Sequence, residues 1–201
     1  MIAILASQNK NKIKEFNAIL EKYDLKVISR DDAGLPKDDV PEDGTTFEEN
    51  SMIKASAIRK MIVDSGFNEY MNSPVIADDS GLMVNALGGE PGVYSARYAG
   101  PECKQSDNNA KLLDKLSDIS DRSACFVTVI TLLYPDGHSI IAKGECHGDI
   151  TTELRGDKGF GYDPLFIPTG FDKTFAELGP DEKNKISHRA KALSKLEELL
   201  K

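Results

Sequence analysis

Apolar residues along this chain follow two rhythms. Ile2 to Ala6 is a continuous apolar run, which predicts a strand buried on both faces. From Asn9 onward Ile13, Phe16, Ile19, Leu20 and Tyr23 recur at helical spacing, and Leu25 to Ser29 then predicts a second strand. Such a β-loop-α-β opening is the signature of an α/β fold with parallel pairing. Asp31 to Gly44 is acidic and rich in turn residues, so a loop is expected. Thr46 and Glu49 match a capping box ahead of a helix of about five turns ending near Gly66. Pro74 to Asn85 reads as two strand-like pieces around Asp78-Asp79, and the Gly- and Pro-rich stretch Leu87 to Pro101 as loop. Ser106 to Leu116 predicts a helix with Leu112, Leu113 and Leu116 as its apolar edge. Ala124 to Tyr134, the turn Pro135-Asp136-Gly137 and Ser139 to Cys146 predict a hairpin. After a loop at Gly156 to Pro164, a last helix starts near Ser187 and carries Leu193, Leu196, Leu199 and Leu200. There is no internal repeat, low-complexity segment or linker. The pattern predicts a mixed α/β fold in which residues 1–201 form one domain of two lobes with a groove between them.

Charge narrows the function classes. Thirty-three acidic against twenty-five basic residues give a net charge of −8, which argues against a general nucleic-acid binder. A few local Lys and Arg can still set the field for one small anion. Cys103, Cys125 and Cys146 are odd in number, widely spaced and without a CxxC pattern. That speaks against a disulfide framework or a zinc site and for a reducing compartment. No apolar run approaches a membrane span, and Met1 to Ala6 is too short for a signal peptide, so a cytoplasmic location is expected.

Four constellations could carry chemistry. In Ile76-Ala-Asp-Asp-Ser-Gly-Leu82 two adjacent carboxylates repel unless a cation or proton intervenes, which suggests a divalent metal; Asp, Ser and Gly equally suit a turn. The loop Ser7-Gln8-Asn9-Lys10-Asn11-Lys12 offers backbone N–H groups, a hydroxyl, amides and ammonium groups at a helix start. It can cradle a phosphate, or Ser7 or Asn9 can merely cap the helix. Glu42 or Asp43 could add a carboxylate, and Asn50 and Lys54 lie four apart on one helix face; most such acidic loop residues simply face water. Toward the end, Phe160-Gly161-Tyr162-Asp163 could stack on a planar ring and accept from its N–H groups. Lys183, His188 and Arg189 flank Ser187 at a helix start; an aromatic-anchored turn and a solvated basic helix start are the plainer readings.

In this order the segments resemble the inosine triphosphatase-like family, the pyrophosphatases of non-canonical purine nucleoside triphosphates. The matching elements are Ser7-x-Asn9-x-x-Lys12-x-x-Glu15, Thr46-Phe-x-Glu-Asn50-x-x-x-Lys54 and Ala77-Asp-Asp-Ser-Gly-Leu82. They continue with Gly88-Gly-x-Pro-Gly-Val-Tyr-Ser-Ala-Arg97-Tyr, Phe160-Gly-Tyr-Asp163-Pro and Lys183-x-x-x-Ser187-His188-Arg189. Gln8 departs from the family, which commonly has Gly there. The resemblance implies an elongated two-lobed α/β fold with a central substrate groove, usually a homodimer. It implies hydrolysis of dITP, ITP and XTP to monophosphate and pyrophosphate with Mg²⁺. Asp79 would act as general base and magnesium ligand, with Glu42 as a second metal carboxylate. Ser7 to Lys12, Lys54 and Ser80 would hold the triphosphate. Phe160 to Asp163, Lys183, His188 and Arg189 would form the purine pocket. Hypoxanthine and xanthine carry a 6-keto acceptor and an N1–H donor, and adenine reverses both. Donors on Arg189 and His188 and an acceptor on Asp163 would leave groups unpaired against adenine, at about 1–3 kcal/mol each. Two other readings stay open: a purine nucleotide-binding regulator without turnover, and a related pyrophosphatase for pyrimidine or methylated nucleotides.

Overall fold

The computed structural model describes residues 1–7, 10–36, 38, 40–66, 68–102 and 104–201, with Lys10, Asn11, Ala18 and Asn68 described by their backbone alone. The elements are β1 (Ile2–Leu5), α1 (Lys10–Leu20), β2 (Lys26–Ser29), α2 (Phe47–Ser65), β3 (Val75–Val84), α3 (Gln105–Lys115), β4 (Ser123–Leu133), β5 (Ser139–Ile150), β6 (Phe166–Pro168), α4 (Phe175–Leu178), α5 (Pro180–Ile186) and α6 (His188–Leu199). Strand order is β2-β1-β3-β4-β5-β6, parallel at β2-β1-β3 and antiparallel at β5-β6. The mixed α/β fold expected from the apolar pattern is what the chain forms.

The chain divides into two compact units. The first comprises residues 1–79, 129–143 and 192–201, the second residues 80–128 and 144–191. In the first unit, alternation along the strands feeds two cores. Ala3, Leu5 and Ile76 pack with Phe16 and Leu20 of α1 and Ala192, Leu193 and Leu196 of α6. Ile4, Val75 and Ala77 pack with Ala55, Ile58 and Ile62 of α2. This is why the run Ile2–Leu5 is apolar throughout: both its faces are covered. The second unit has its own core, in which Leu82, Leu112, Leu116 and Ile150 surround a cluster of Phe126, Phe166 and Phe175 rings.

Local signals behave as their chemistry dictates at α2. Thr46 Oγ1 accepts from Glu49 N–H at 3.1 Å, Glu49 Oε2 accepts from Thr46 N–H, and Gly66 closes the helix at φ 65°. Three expectations are corrected. The Asp pair lies inside one ten-residue strand, β3, rather than between two pieces or in a turn, because β3 is hydrogen-bonded between β1, which pairs with its start at Val75 and Ile76, and β4, and because burial of the flanking residues overrides turn propensity. The return strand β5 runs to Ile150, past Cys146, because its end pairs with β6. Segment 87–101 holds a 3-10 helix, Gly92–Arg97, rather than only loop. In addition, Lys183 belongs to α5, a short helix with no apolar period of its own.

Candidate active site

Two groups of predicted residues come together, one in each unit. In the first unit, successive residues of β3 point to opposite faces, so Asp78 and Asp79 look away from each other. Asp78 has the parity of Ile76 and meets α1: Lys12 Nζ donates to both its oxygens at 2.8 Å. Asp79 has the parity of Ala77 and meets α2: Lys54 Nζ donates to its Oδ1 at 2.7 Å. The anticipated repulsion between neighbouring carboxylates is thus met by two separate ammonium groups, one per face.

Lys54 also reaches Glu42 Oε2 at 3.2 Å, so Glu42 and Asp79 converge on a single cationic position. Asn50, four residues earlier on the same face of α2, is wholly buried. Its Oδ1 accepts from Gly44 N–H at 2.9 Å and its Nδ2 approaches Asp79 Oδ2 at 3.4 Å. A Cβ on Gly44 would sit 2.7 Å from that Asn50 oxygen, so the loop carrying Glu42 passes α2 only with glycine there. Burial pushes the Asp79 carboxyl above its ordinary range in spite of the opposing pull of Lys54. Burial of Lys54 works to lower its pKa, but the charge of Asp79 and the hydrogen bond to it outweigh this and hold the ammonium protonated. A buried carboxyl raised in this way, beside a convergent carboxylate, is a stronger base than one in water. Two hard oxygen donors on separate segments, with few others near, also suit a divalent ion of the magnesium kind. In the phosphate-loop motif, Gln8 and Asn9 lie outside the described residues, Lys10 and Asn11 open α1, and Ser7 is half-buried just before it.

In the second unit, Ser80, Phe160, Gly161, Tyr162, Asp163, Lys183, His188 and Arg189 all line one cavity of about 220 Å³. At its centre Asp163, 2 % exposed, accepts from Lys183 Nζ at 2.5 Å and from Phe160 N–H at 2.9 Å through the same oxygen. Gly159 makes this possible, since at φ 83° a Cβ would stand 2.2 Å from that oxygen. Lys183 Nζ lies 4.4 Å from the centroid of the Phe160 ring, which is 53 % exposed and offers a free face. Tyr162 is buried, its phenol pushed up by burial, and it donates to Ser95 O at 2.9 Å. Ser187 caps α6 by accepting from Ala190 N–H at 3.2 Å, as the motif predicted. Next to it, the His188 ring stacks on Phe126 with centroids 4.8 Å apart and planes 12° off parallel. Ser80 Oγ pairs with Thr128 Oγ1 at 2.8 Å.

Sequence reasoning missed Gln105, Asn108 and Phe126 and gave Ser95, within the matched motif of residues 88–98, no role of its own; all four line the same cavity. The polar ones come from α3 and the segment it braces. Gln105 Oε1 accepts from Gly161 N–H at 3.0 Å, and Asn109 Nδ2 donates to Gly161 O at 3.1 Å. Asn108 binds Ala99 N–H at 2.7 Å and Ala96 O at 2.9 Å. One signal could have found them: two adjacent asparagines beside the apolar edge of α3 are poor helix formers there unless their amides have backbone to hold. Phe126 carries no such signal, since in sequence it is one more apolar residue of a buried strand.

Comparison with known proteins bears on the whole chain. The model of the Ham1 family matches residues 3–199. A protein from Clostridium perfringens named dITP/XTP pyrophosphatase is 49 % identical over 98 % of this chain and 96 % of its own length. Among solved structures, the Staphylococcus aureus Ham1 protein superposes with TM-score 0.89 at 43 % identity over 100 % of this chain and 98 % of that one. A HAM1 protein from Coxiella burnetii gives TM-score 0.89 at 40 % identity, with the same coverage.

Proposed function

The chain belongs to the Ham1 family, and from that premise we propose that it hydrolyses deaminated purine nucleoside triphosphates (dITP, ITP and XTP) to monophosphate and pyrophosphate. The observation that carries this reading is the convergence of Asp79 and Glu42 on one cationic position in the first unit. The cavity of the second unit begins at Ser80, one peptide bond further along β3. Relatives named as dITP/XTP pyrophosphatases, at 49 % identity in the Clostridium perfringens case, support the same substrate class.

In this reading Glu42 and Asp79 hold Mg²⁺, which when bound neutralises phosphate charge and positions the reacting groups. Asp79, raised by burial, takes the proton of a water whose oxygen attacks the α-phosphorus; the bond to the α,β-bridging oxygen breaks and pyrophosphate leaves. Lys54, held protonated beside Asp79, neutralises charge on the triphosphate, with Lys12 and the Ser7–Asn11 segment binding its outer phosphates. Ser80 contributes a hydroxyl at the start of the cavity.

The base stacks on the exposed face of Phe160. His188, fixed by its stack on Phe126, and Arg189 donate to the 6-keto oxygen. Asp163 accepts from the base N1–H and also fixes the Phe160 backbone and the Lys183 ammonium at the cavity, with Gly161 and Tyr162 shaping its wall. We further propose a cytoplasmic homodimer acting on free nucleotides, a choice over polymers that the net charge of −8 supports.

The test is pyrophosphate release with magnesium from inosine, deoxyinosine, xanthosine, guanosine, adenosine and thymidine triphosphates. Deaminated purines should exceed adenosine and thymidine triphosphates by about 100-fold or more in kcat/KM. No release from any deaminated purine would overturn the function. Preference for a pyrimidine would overturn the substrate class.

A further inference from the structure

The hairpin of β4 and β5 carries a second set of converging side chains that the proposed reaction does not use. Its register is fixed at both ends: Ile150 N–H donates to Arg122 O at 2.9 Å, and Tyr134 N–H to His138 O at 2.8 Å. Counting inward from either bond sets Cys125 opposite His147, at a pair without ladder hydrogen bonds, where facing side chains come closest. Period two puts Glu145 on the same face as His147 and turns Cys146 to the other side, into the core with Leu82 and Phe166. The result is a thiol, an imidazole and a carboxylate whose ligand atoms all lie within 4.8 Å of one another. His147 is exposed, and Cys125 and Glu145 are half-buried, so an ion has access.

The spacing and donor chemistry agree. With Zn–S near 2.3 Å and Zn–N and Zn–O near 2.0 Å, the edges between ligands of a tetrahedron are about 3.3–3.5 Å. His147 Nε2 and Glu145 Oε2 already stand 3.6 Å apart. Since all three atoms already lie within 4.8 Å of one another, bringing in the sulfur needs side-chain rotation that closes its separation by no more than about 1.3 Å. An S, N, O set selects borderline-soft ions of the zinc class and discriminates against magnesium, the reverse of the all-oxygen pair Glu42 and Asp79. We infer that Cys125, Glu145 and His147 bind one zinc-class divalent ion, with water in the fourth position. The wide spacing of the three cysteines and the lack of a CxxC pattern argue against zinc in the sequence; the hairpin register instead gives Cys125 a histidine and a carboxylate as partners.

The test uses the full chain, reduced and stripped of metal, with excess Mg²⁺ present throughout. Co²⁺ is added as a spectroscopic substitute for zinc. The expected result is a thiolate-to-cobalt charge-transfer band that saturates at one equivalent and is displaced by Zn²⁺. Cys125→Ser and His147→Ala should weaken Co²⁺ by more than ~100-fold and Glu145→Gln by about tenfold, with Cys146→Ser and Cys103→Ser retaining the band. A measurement on the unmutated chain stands independently of any folding defect: one equivalent of Zn²⁺ should slow alkylation of Cys125 by iodoacetamide at least tenfold, read by peptide mass spectrometry. Absence of the band at micromolar Co²⁺, its survival in Cys125→Ser, or unprotected Cys125 would each overturn the site, whatever the nucleotide assays give.

Discussion

The two units handle polarity in contrasting ways. The first meets its candidate ligand positions with opposite charges in pairs, Lys12 with Asp78 and Lys54 with Asp79 and Glu42. The second builds its cavity from rings, backbone and amides around one buried ion pair, Asp163 with Lys183. Paired charges that keep some access to solvent can exchange partners when a polyanion arrives. Rings and braced backbone cannot exchange anything, but they hold a shape. Under the proposed function the difference would assign chemistry and recognition to separate parts of the chain, so a substitution should move turnover or selectivity, seldom both.

The largest expected effect is that of Asp79→Asn, which should lower kcat by about 10²–10⁴-fold with nucleotide binding retained, measured by pyrophosphate release and by titration calorimetry. Near-normal turnover would remove Asp79 from the chemistry and with it the contrast. Next is Lys183→Met, which leaves the buried Asp163 carboxylate with the Phe160 N–H as its hydrogen-bond partner among the described residues. A loss of about 3–5 kcal/mol in urea unfolding is expected, and a loss under about 1 kcal/mol would show that the pair is not a structural support of the cavity. Arg189→Ala should cut the preference for inosine over adenosine triphosphate by about tenfold or more while leaving kcat on inosine triphosphate largely intact. An unchanged ratio would assign selectivity elsewhere.

Two smaller effects concern scaffolding shared by both units. Thr174 caps α4 and also donates to Arg155 O at 2.7 Å, so Thr174→Ala should cost about 1 kcal/mol of thermal stability. Glu49 and Glu177, the reciprocal partners in the two capping boxes, are held below the ordinary carboxylate value of 4.5. For Glu49 the main cause is its bond from the Thr45 hydroxyl, and for Glu177 its bond from Thr174 N–H. A carboxyl whose folded pKa is depressed stabilises above its unfolded value and loses that stabilisation as pH falls through the folded one. Melting temperature should therefore drop as pH is lowered below 4.5, with a shallower slope in Glu49→Gln and Glu177→Gln. Identical slopes in all three proteins would sink this point.

What the sequence made legible was local or short in range. The capping box at Thr46, the cap at Gly66 and the amphipathic face of α1 depend on neighbours a few residues away, and they form as read. Strand β3 was harder, because Asp, Ser and Gly favour turns. Pairing with the sheet neighbours β1 and β4 makes a strand of that run, and two lysines from different helices meet its carboxylates. Motif residues were legible as a set, yet which would meet which was not. Glu42 and Asp79 are 37 positions apart, and it is α2 with Gly44 and Asn50 that brings them together. Gln105, Asn108 and Phe126 stayed hidden because a cavity wall and a core wall use the same residue types at the same period.

The parity of β3 has a consequence for how this protein can change. Deleting or inserting one residue ahead of Asp78 would keep both carboxylates in the chain yet exchange the faces they address: an insertion carries Asp78 to the Lys54 position, a deletion carries Asp79 to the Lys12 position, and the other carboxylate then lies two residues, about 7 Å, from the second lysine. The motif would survive such an indel intact while its pairing with the two lysines broke. A substitution there removes one group; a frame slip within the strand moves them all.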